Sequence, residues 1–239
     1  MNATEIVLAL LCVTLGAAVQ SSIGFGASLV SIPLLLLINP VLVPGPALVA
    51  GLTVNLIGMG AGLEHTDWRG ARWAVVGLLP GTAVAALVLS RFTGTSIAIL
   101  SALAVLAAVG VSAAGLQPGA GRRTLLGAGF FSGYLNTTAG VGGPPMALAY
   151  QDAPAKTLRA TLPVVFLAAT VLTMVALART GHLDAVDWRI GLILAPGGAI
   201  GYAATRGIAH RIDGDRLRSA VLVISAVSAL AALARVLLC

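Results

Sequence analysis

Ile6-Val7-Leu8-Ala9-Leu10-Leu11-Cys12-Val13-Thr14-Leu15-Gly16-Ala17-Ala18-Val19-Gln20-Ser21-Ser22-Ile23-Gly24-Phe25-Gly26 opens a run of 58 residues, between Glu5 and Glu64, with no Asp, Glu, Lys or Arg. Further charge-free runs cover 73–90, 92–121, 124–151, 160–178, 190–205 and 219–234. A spanning helix needs roughly 20 mostly apolar residues, and most of these runs hold one or two such helices. Outer-membrane strands would alternate with a two-residue period, which these runs lack. The whole chain agrees: of 239 residues, 58% are hydrophobic and 9% charged, against about 25% charged in an average soluble domain. A soluble fold could not hide that much apolar surface. Disorder, collagen and nucleic-acid binding each need a composition that is absent. The net charge of +6 reads as basic loops facing the cytoplasm. The expected class is an all-α polytopic integral membrane protein.

No basic residue precedes Arg69, so the N-terminus does not read as a cleavable signal, and the first helix is expected to stay. Cys12 and Cys239 sit at opposite ends in apolar segments, with no CxxC pair, and read as packing residues.

The chain repeats itself. Residues 20–26 read Gln-Ser-Ser-Ile-Gly-Phe-Gly, and residues 136–142 read Asn-Thr-Thr-Ala-Gly-Val-Gly. The offset of 116 also maps Pro80-Gly81 onto Pro196-Gly197, while Asp67-Trp68-Arg69 and Asp187-Trp188-Arg189 match at offset 120. These matches predict two related halves, 1–115 and 124–239, joined by a hinge loop at 116–123 that carries Pro118, Gly119 and Gly121. Each half reads as five helical pieces: 5–22, 27–38, 46–63, 72–90 and 95–115, then 124–138, 143–151, 157–178, 189–208 and 216–237. That gives 8–10 helical segments, with the first two of each half forming one broken helix, a re-entrant pair or two short spans. Arg122-Arg123 and the cluster Arg206, Arg211, Arg216 and Arg218 belong inside by the positive-inside rule. That placement makes each half cross an odd number of times, so the halves are inverted, with both termini outside.

The repeated Gly-x-Gly segments are the strongest candidate for chemistry. Gly-x-Gly, followed in the second half by Gly143-Pro144-Pro145, is poor material for a continuous helix. An unwound backbone inside a membrane is tolerated where protein buries it or water reaches it. Freed N–H groups and the helix dipole make an anion site. The candidate substrate-binding residues are therefore Gln20, Ser21, Ser22, Gly24 and Gly26 with Asn136, Thr137, Thr138, Gly140, Gly142 and Gly143. A single Ser or Gly ordinarily serves helix packing; the matched pair is what argues for a substrate path. Arg159 is added because its planar fork binds oxyanions, although an interfacial Arg snorkelling to the cytoplasmic surface is the slightly favoured reading. Asn55, an amide deep in an apolar helix, either lines the path or pairs with a neighbouring helix. Glu64, His65, Asp67 and Arg69, like His182, Asp184, Asp187 and Arg189, fall in connections; Asp67 and Asp187 read as helix caps, with Trp68 and Trp188 in the aromatic belt.

No zinc helix, phosphate loop or nucleophile elbow is present. No enzyme, catalytic residue, metal or cofactor is expected.

Taken together, Gly24–Gly26, Gly140-Val141-Gly142-Gly143-Pro144-Pro145, Arg159-Ala160-Thr161, the two Asp-Trp-Arg openings and the two Pro-Gly pairs resemble the sulfite exporter TauE/SafE family of bacterial membrane permeases. The resemblance covers nearly the whole chain. It implies a multi-pass transporter of the bacterial inner membrane that exports a small anion such as sulfite, sulfoacetate or another organosulfonate. Phe25 and Ser28 depart from the more Gly-rich first motif of many members. The expected partners are a small anionic substrate and the lipid bilayer, with no nucleic acid; a homo-oligomer is compatible with the small-residue stripes, which single out no face. The rival readings are a non-transporting subunit or scaffold for sulfur metabolism and an intramembrane sulfur transferase using Cys12.

Overall fold

The computed structural model describes residues 2–60, 62–91, 95–113, 119–207 and 214–238. Among them are ten α-helices and no strand: α1 (Ala3–Ile23), α2 (Ala27–Ile38), α3 (Gly45–Gly60), α4 (Trp68–Leu89), α5 (Thr95–Ala113), α6 (Arg122–Ala139), α7 (Gly143–Ala149), α8 (Ala155–Arg179), α9 (Ala185–Arg206) and α10 (Gly214–Leu238). The ten expected pieces correspond to these helices in order. Most of the loop expected to hold the last basic cluster, including His210 and Arg211, lies outside the described residues, as does Cys239.

Local chemistry sets the ends. Asn2 and Glu5 form a capping box at the start of α1, with Glu5 N–H donating to Asn2 Oδ1 at 2.8 Å. Asp67 caps α4 by accepting from Gly70 N–H at 2.9 Å, as expected. The matching helix α9 begins four residues earlier than expected. Asp184, not Asp187, is its cap, and Asp187 reaches back to the Asp184 N–H at 2.9 Å.

α1, α4 and α8 are long and apolar enough to cross a membrane. Large apolar side chains point outward, among them Leu11, Leu15, Leu79, Leu87, Leu192 and Ile200. In water such a surface would aggregate; against lipid it is the ordinary face of a membrane helix.

Small residues bring the helices together. Gly77 and Gly81 of α4 press on the carbonyls of Leu126 and Phe130 in α6, and Gly129 and Gly133 of α6 press back on Ala74 and Leu78. The residue numbers rise together, so α4 and α6 run parallel. Gly197 and Gly201 of α9 make the same contacts with Leu10 and Thr14 of α1, also in parallel. These contacts match at offset 120 on the α4/α9 side and 116 on the α1/α6 side. Gly81 therefore occupies the place of Gly201, and the Pro80-Gly81/Pro196-Gly197 match in the sequence does not reflect equivalent packing. α3 and α8 cross antiparallel: Gly58 lies against Pro163, while Leu48 and Val49 cluster with Met174 and Leu177.

α2 folds back along α1. Ser31 Oγ donates to the Cys12 carbonyl at 3.0 Å, and Gly16 faces Ala27 and Ser31. The reversal uses Gly24 and Gly26, both left-handed at φ +91° and +98°, a conformation that only glycine adopts freely. α7 folds back on α6 through Gly140 (φ +72°), with Ser132 Oγ donating to the Gly142 carbonyl at 2.5 Å. In each half the two helices thus form a hairpin about a glycine turn.

Candidate functional site

The two glycine turns meet. A Cβ on Gly143 would lie 3.7 Å from Phe25 Cβ and 3.8 Å from Gly26 N, and one on Gly140 would lie 3.1 Å from Ile32 Cδ1. Beside this junction a cavity opens between the two hairpins and the α3/α8 crossing. Its polar lining comprises Gln20, Ser28, Ser31, Asn55, Asn136 and Thr170, with Gly26, Gly51, Gly140, Gly142 and Gly143 supplying exposed backbone and Phe166 an aromatic wall.

The amides are held in a network. Gln20 Nε2 donates to Asn55 Oδ1 at 3.0 Å, and Asn55 Nδ2 donates to Thr170 Oγ1 at 3.2 Å. Asn136 Nδ2 donates to Thr173 Oγ1 at 2.9 Å, and Thr173 Oγ1 also pairs with Thr137 Oγ1 at 2.9 Å. Each anchored amide keeps a second N–H for another partner. At the start of α2, Gly26 has no side-chain cap. Ala27 and Ser28 border the cavity, and they belong to the first turn of α2, whose N–H groups a helix leaves without intrahelical partners. The second turn offers less: Pro144 and Pro145 follow Gly143 in α7 and have no N–H to give.

Six of the twelve expected site residues line this cavity: Gln20, Gly26, Asn136, Gly140, Gly142 and Gly143. The other six do not. Ser21 Oγ pairs with Thr205 Oγ1 of α9 and with the Ala18 carbonyl, and Ser22 Oγ donates to the same carbonyl at 2.8 Å. Thr137 is spent on Thr173, and Thr138 Oγ1 donates back to the Tyr134 carbonyl at 2.9 Å. Gly24 ends α1 and packs on Leu158 and Arg159. Arg159 lies behind that turn and does not border the cavity. Among the described Lys and Arg side chains it is nonetheless the one that is not fully exposed.

Asn55, left open by the sequence, both lines the cavity and ties α1 to α8. Thr170, Gly51 and Phe166 were not singled out. They reach the cavity through the α3/α8 crossing, which no local pattern announces. The polar connections serve structure. Tyr150 Oη donates to Asp67 Oδ2 at 3.0 Å, and Asp67 N–H donates to Thr161 Oγ1 at 2.9 Å. Glu64 is exposed and pairs with His65 at 3.2 Å; its own backbone N–H, then the imidazole, hold its carboxyl below the usual range. Among the described residues no group of His, Cys, Asp or Glu is placed to hold a metal.

A protein of Cupriavidus necator named "Probable sulfite/organosulfonate exporter TauE" is 34% identical over 132 residues, covering 52% of this chain and 51% of that protein. The chain thus spans about half the length of the curated relative it matches. No solved structure matches. The family model described as "Sulfite exporter TauE/SafE" matches residues 8–232, and the chain belongs to that family.

Proposed function

We propose that the protein is a multi-pass carrier of the bacterial inner membrane that moves a small sulfur oxyanion, outward from the cell, through the cavity between its two glycine turns. The observation that carries this reading is the cavity itself: hydrogen-bond donors from two hairpins and a helix crossing converge on one space in an otherwise apolar protein. The name of the Cupriavidus necator relative gives the substrate class, sulfite or an organosulfonate. Gln20, Asn55, Asn136 and the α2 first turn would hold the anion's oxygens. Ser21, Ser22, Thr137 and Thr138 would brace the helices that present them.

The two halves read as inverted repeats, 1–115 and 124–239. What supports this is the matched packing: α4 on α6 and α9 on α1, at one register and both parallel, around an antiparallel α3/α8 crossing. Charge supports an orientation. One end carries Arg69, Arg72, Arg122, Arg123, Lys156 and Arg159 against Glu64, Asp67 and Asp152; the other carries Arg91, Arg179 and Arg189 against Glu5, Asp184 and Asp187. The first end is the cytoplasmic one by the positive-inside rule. There Arg122 stacks over Trp73 at 4.0 Å and fixes the start of α6 on α4.

An inside-negative potential of about 100 mV favours expulsion of one negative charge by about 2.3 kcal/mol, so export needs no coupling ion. The test is flux of labelled sulfite in proteoliposomes containing only the purified chain. Saturable flux, absent from protein-free liposomes, is expected. Its absence with folded protein and a panel of sulfonates would overturn the reading.

A further inference from the structure

We infer that the cavity selects the singly charged, proton-bearing form of its oxyanion, bisulfite over sulfite, and excludes dianions. This rests on the transport reading above and adds its selectivity. None of the described residues bordering the cavity is Asp, Glu, Lys, Arg or His. Arg159, the half-buried cation behind the Gly24 turn, does not border it. Nothing charged in the lining therefore compensates a second negative charge.

Two scaling laws then decide between the ions. The free energy of taking an ion out of water grows with the square of its charge, so a dianion loses about four times what a monoanion of the same size loses. The attraction of neutral N–H dipoles grows only in proportion to the charge. A site built from amides and helix N–H groups replaces the hydration of a monoanion far more completely than that of a dianion.

The acceptors point the same way. Gln20 and Asn136 are anchored through their NH₂ groups, and their carbonyl oxygens accept from no described residue. Among the described residues, Thr82 Oγ1 is the one wholly enclosed side-chain polar atom without a partner. These two amide oxygens are therefore not sealed in protein. Such oxygens repel a bare dianion and accept a hydrogen from a protonated one. Bisulfite carries one charge and one hydrogen. Sulfonates with a single net charge meet the charge condition, whereas sulfate, thiosulfate and fully ionised sulfoacetate do not.

The experiment uses proteoliposomes of the full chain with equal pH on both sides, spanning the bisulfite–sulfite ionisation, with protein-free liposomes subtracted. Methanesulfonate is the control whose single charge is constant across the range; sulfate is the control whose double charge is constant. At fixed total sulfite, flux is expected to fall about tenfold per pH unit above that ionisation. Methanesulfonate flux should stay flat, and a tenfold excess of sulfate should not compete. Sulfite flux that stays level or rises with pH, or sulfate competing as well as methanesulfonate, would overturn the selectivity while leaving transport standing. No flux of either ion at any pH would overturn both readings, a result distinguishable from sulfate competition.

Discussion

Replacing Asn55 by Ala removes two hydrogen bonds in one step, the acceptor for Gln20 Nε2 at 3.0 Å and the donor to Thr170 Oγ1 at 3.2 Å. Interhelical side-chain hydrogen bonds in membrane proteins average about 0.6 kcal/mol and reach about 1.7 kcal/mol. The cavity beside these groups lets water replace a lost partner, so the average figure applies to each bond. Two bonds give about 1.2 kcal/mol of lost stability, read as a lower midpoint in denaturant titrations of the detergent-solubilised protein. If the anchored Gln20 amide holds the anion, loss of its anchor, one bond of about 0.6 kcal/mol, should raise the transport KM by roughly threefold, the same free energy expressed as a ratio. A double-mutant cycle isolates the interaction. Gln20→Ala and Asn55→Ala should couple by about 0.6 kcal/mol. Gln20→Ala and Thr173→Val, which share no bond, should be additive. Additive Gln20 and Asn55 effects on both stability and KM would refute the network.

Two further outcomes follow from the packing and the charges. Gly81→Ala should destabilise the protein by about 1–3 kcal/mol, because its Cβ would fall well inside 3.0 Å of the Phe130 carbonyl in α6. Gly127→Ala, whose Cβ meets nothing within 4 Å, should be neutral or stabilising; thermal unfolding of the two in detergent makes the comparison. Arg159→Gln should raise KM for anion presented at the cytoplasmic face and leave the opposite face unchanged, since Arg159 sits beside the Gly24 turn at the basic end. Sided flux in oriented vesicles reads this, and an equal effect at both faces would place Arg159 elsewhere in the path.

The helices were legible because the sequence punctuates them. Charges, Gly-x-Gly and Gly-Pro-Pro mark nearly every end, and the 27–38 piece corresponds to α2 residue for residue. The glycine turns, too, were legible as breaks, and the structure brings the two against each other. The candidate list treats three consecutive helical residues as one surface. On an α-helix successive residues turn by about 100° and do not share a face. If Gln20 faces the cavity, Ser21 turns to Thr205 and Ser22 back onto its own helix. In the second half Thr138 turns back onto its own helix, and Thr137, although it meets the same Thr173 hydroxyl as Asn136, does not border the cavity. Thr170 and Gly51 were illegible for a different reason. Their role depends on how α3 crosses α8, and that crossing is set by contacts such as Gly58 on Pro163, far apart in sequence. Arg159 attracted attention for its charge, yet the described residues that border the cavity hold no charge at all.

Gly51 gives the most direct test of the central claim that the anion passes through this cavity. It borders the cavity, and a Cβ there would meet nothing within 4 Å. Gly51→Leu therefore fills the passage without a clash at the backbone, and the exchange of Gly for a good helix former should favour α3 by up to about 1 kcal/mol. Gly60 in the same helix also has open space around it and does not border the cavity, so Gly60→Leu is the matched control. Sulfite flux in proteoliposomes should be abolished by Gly51→Leu and retained by Gly60→Leu, with both proteins at least as stable as the parent. Undiminished flux through a stable Gly51→Leu protein would contradict the account.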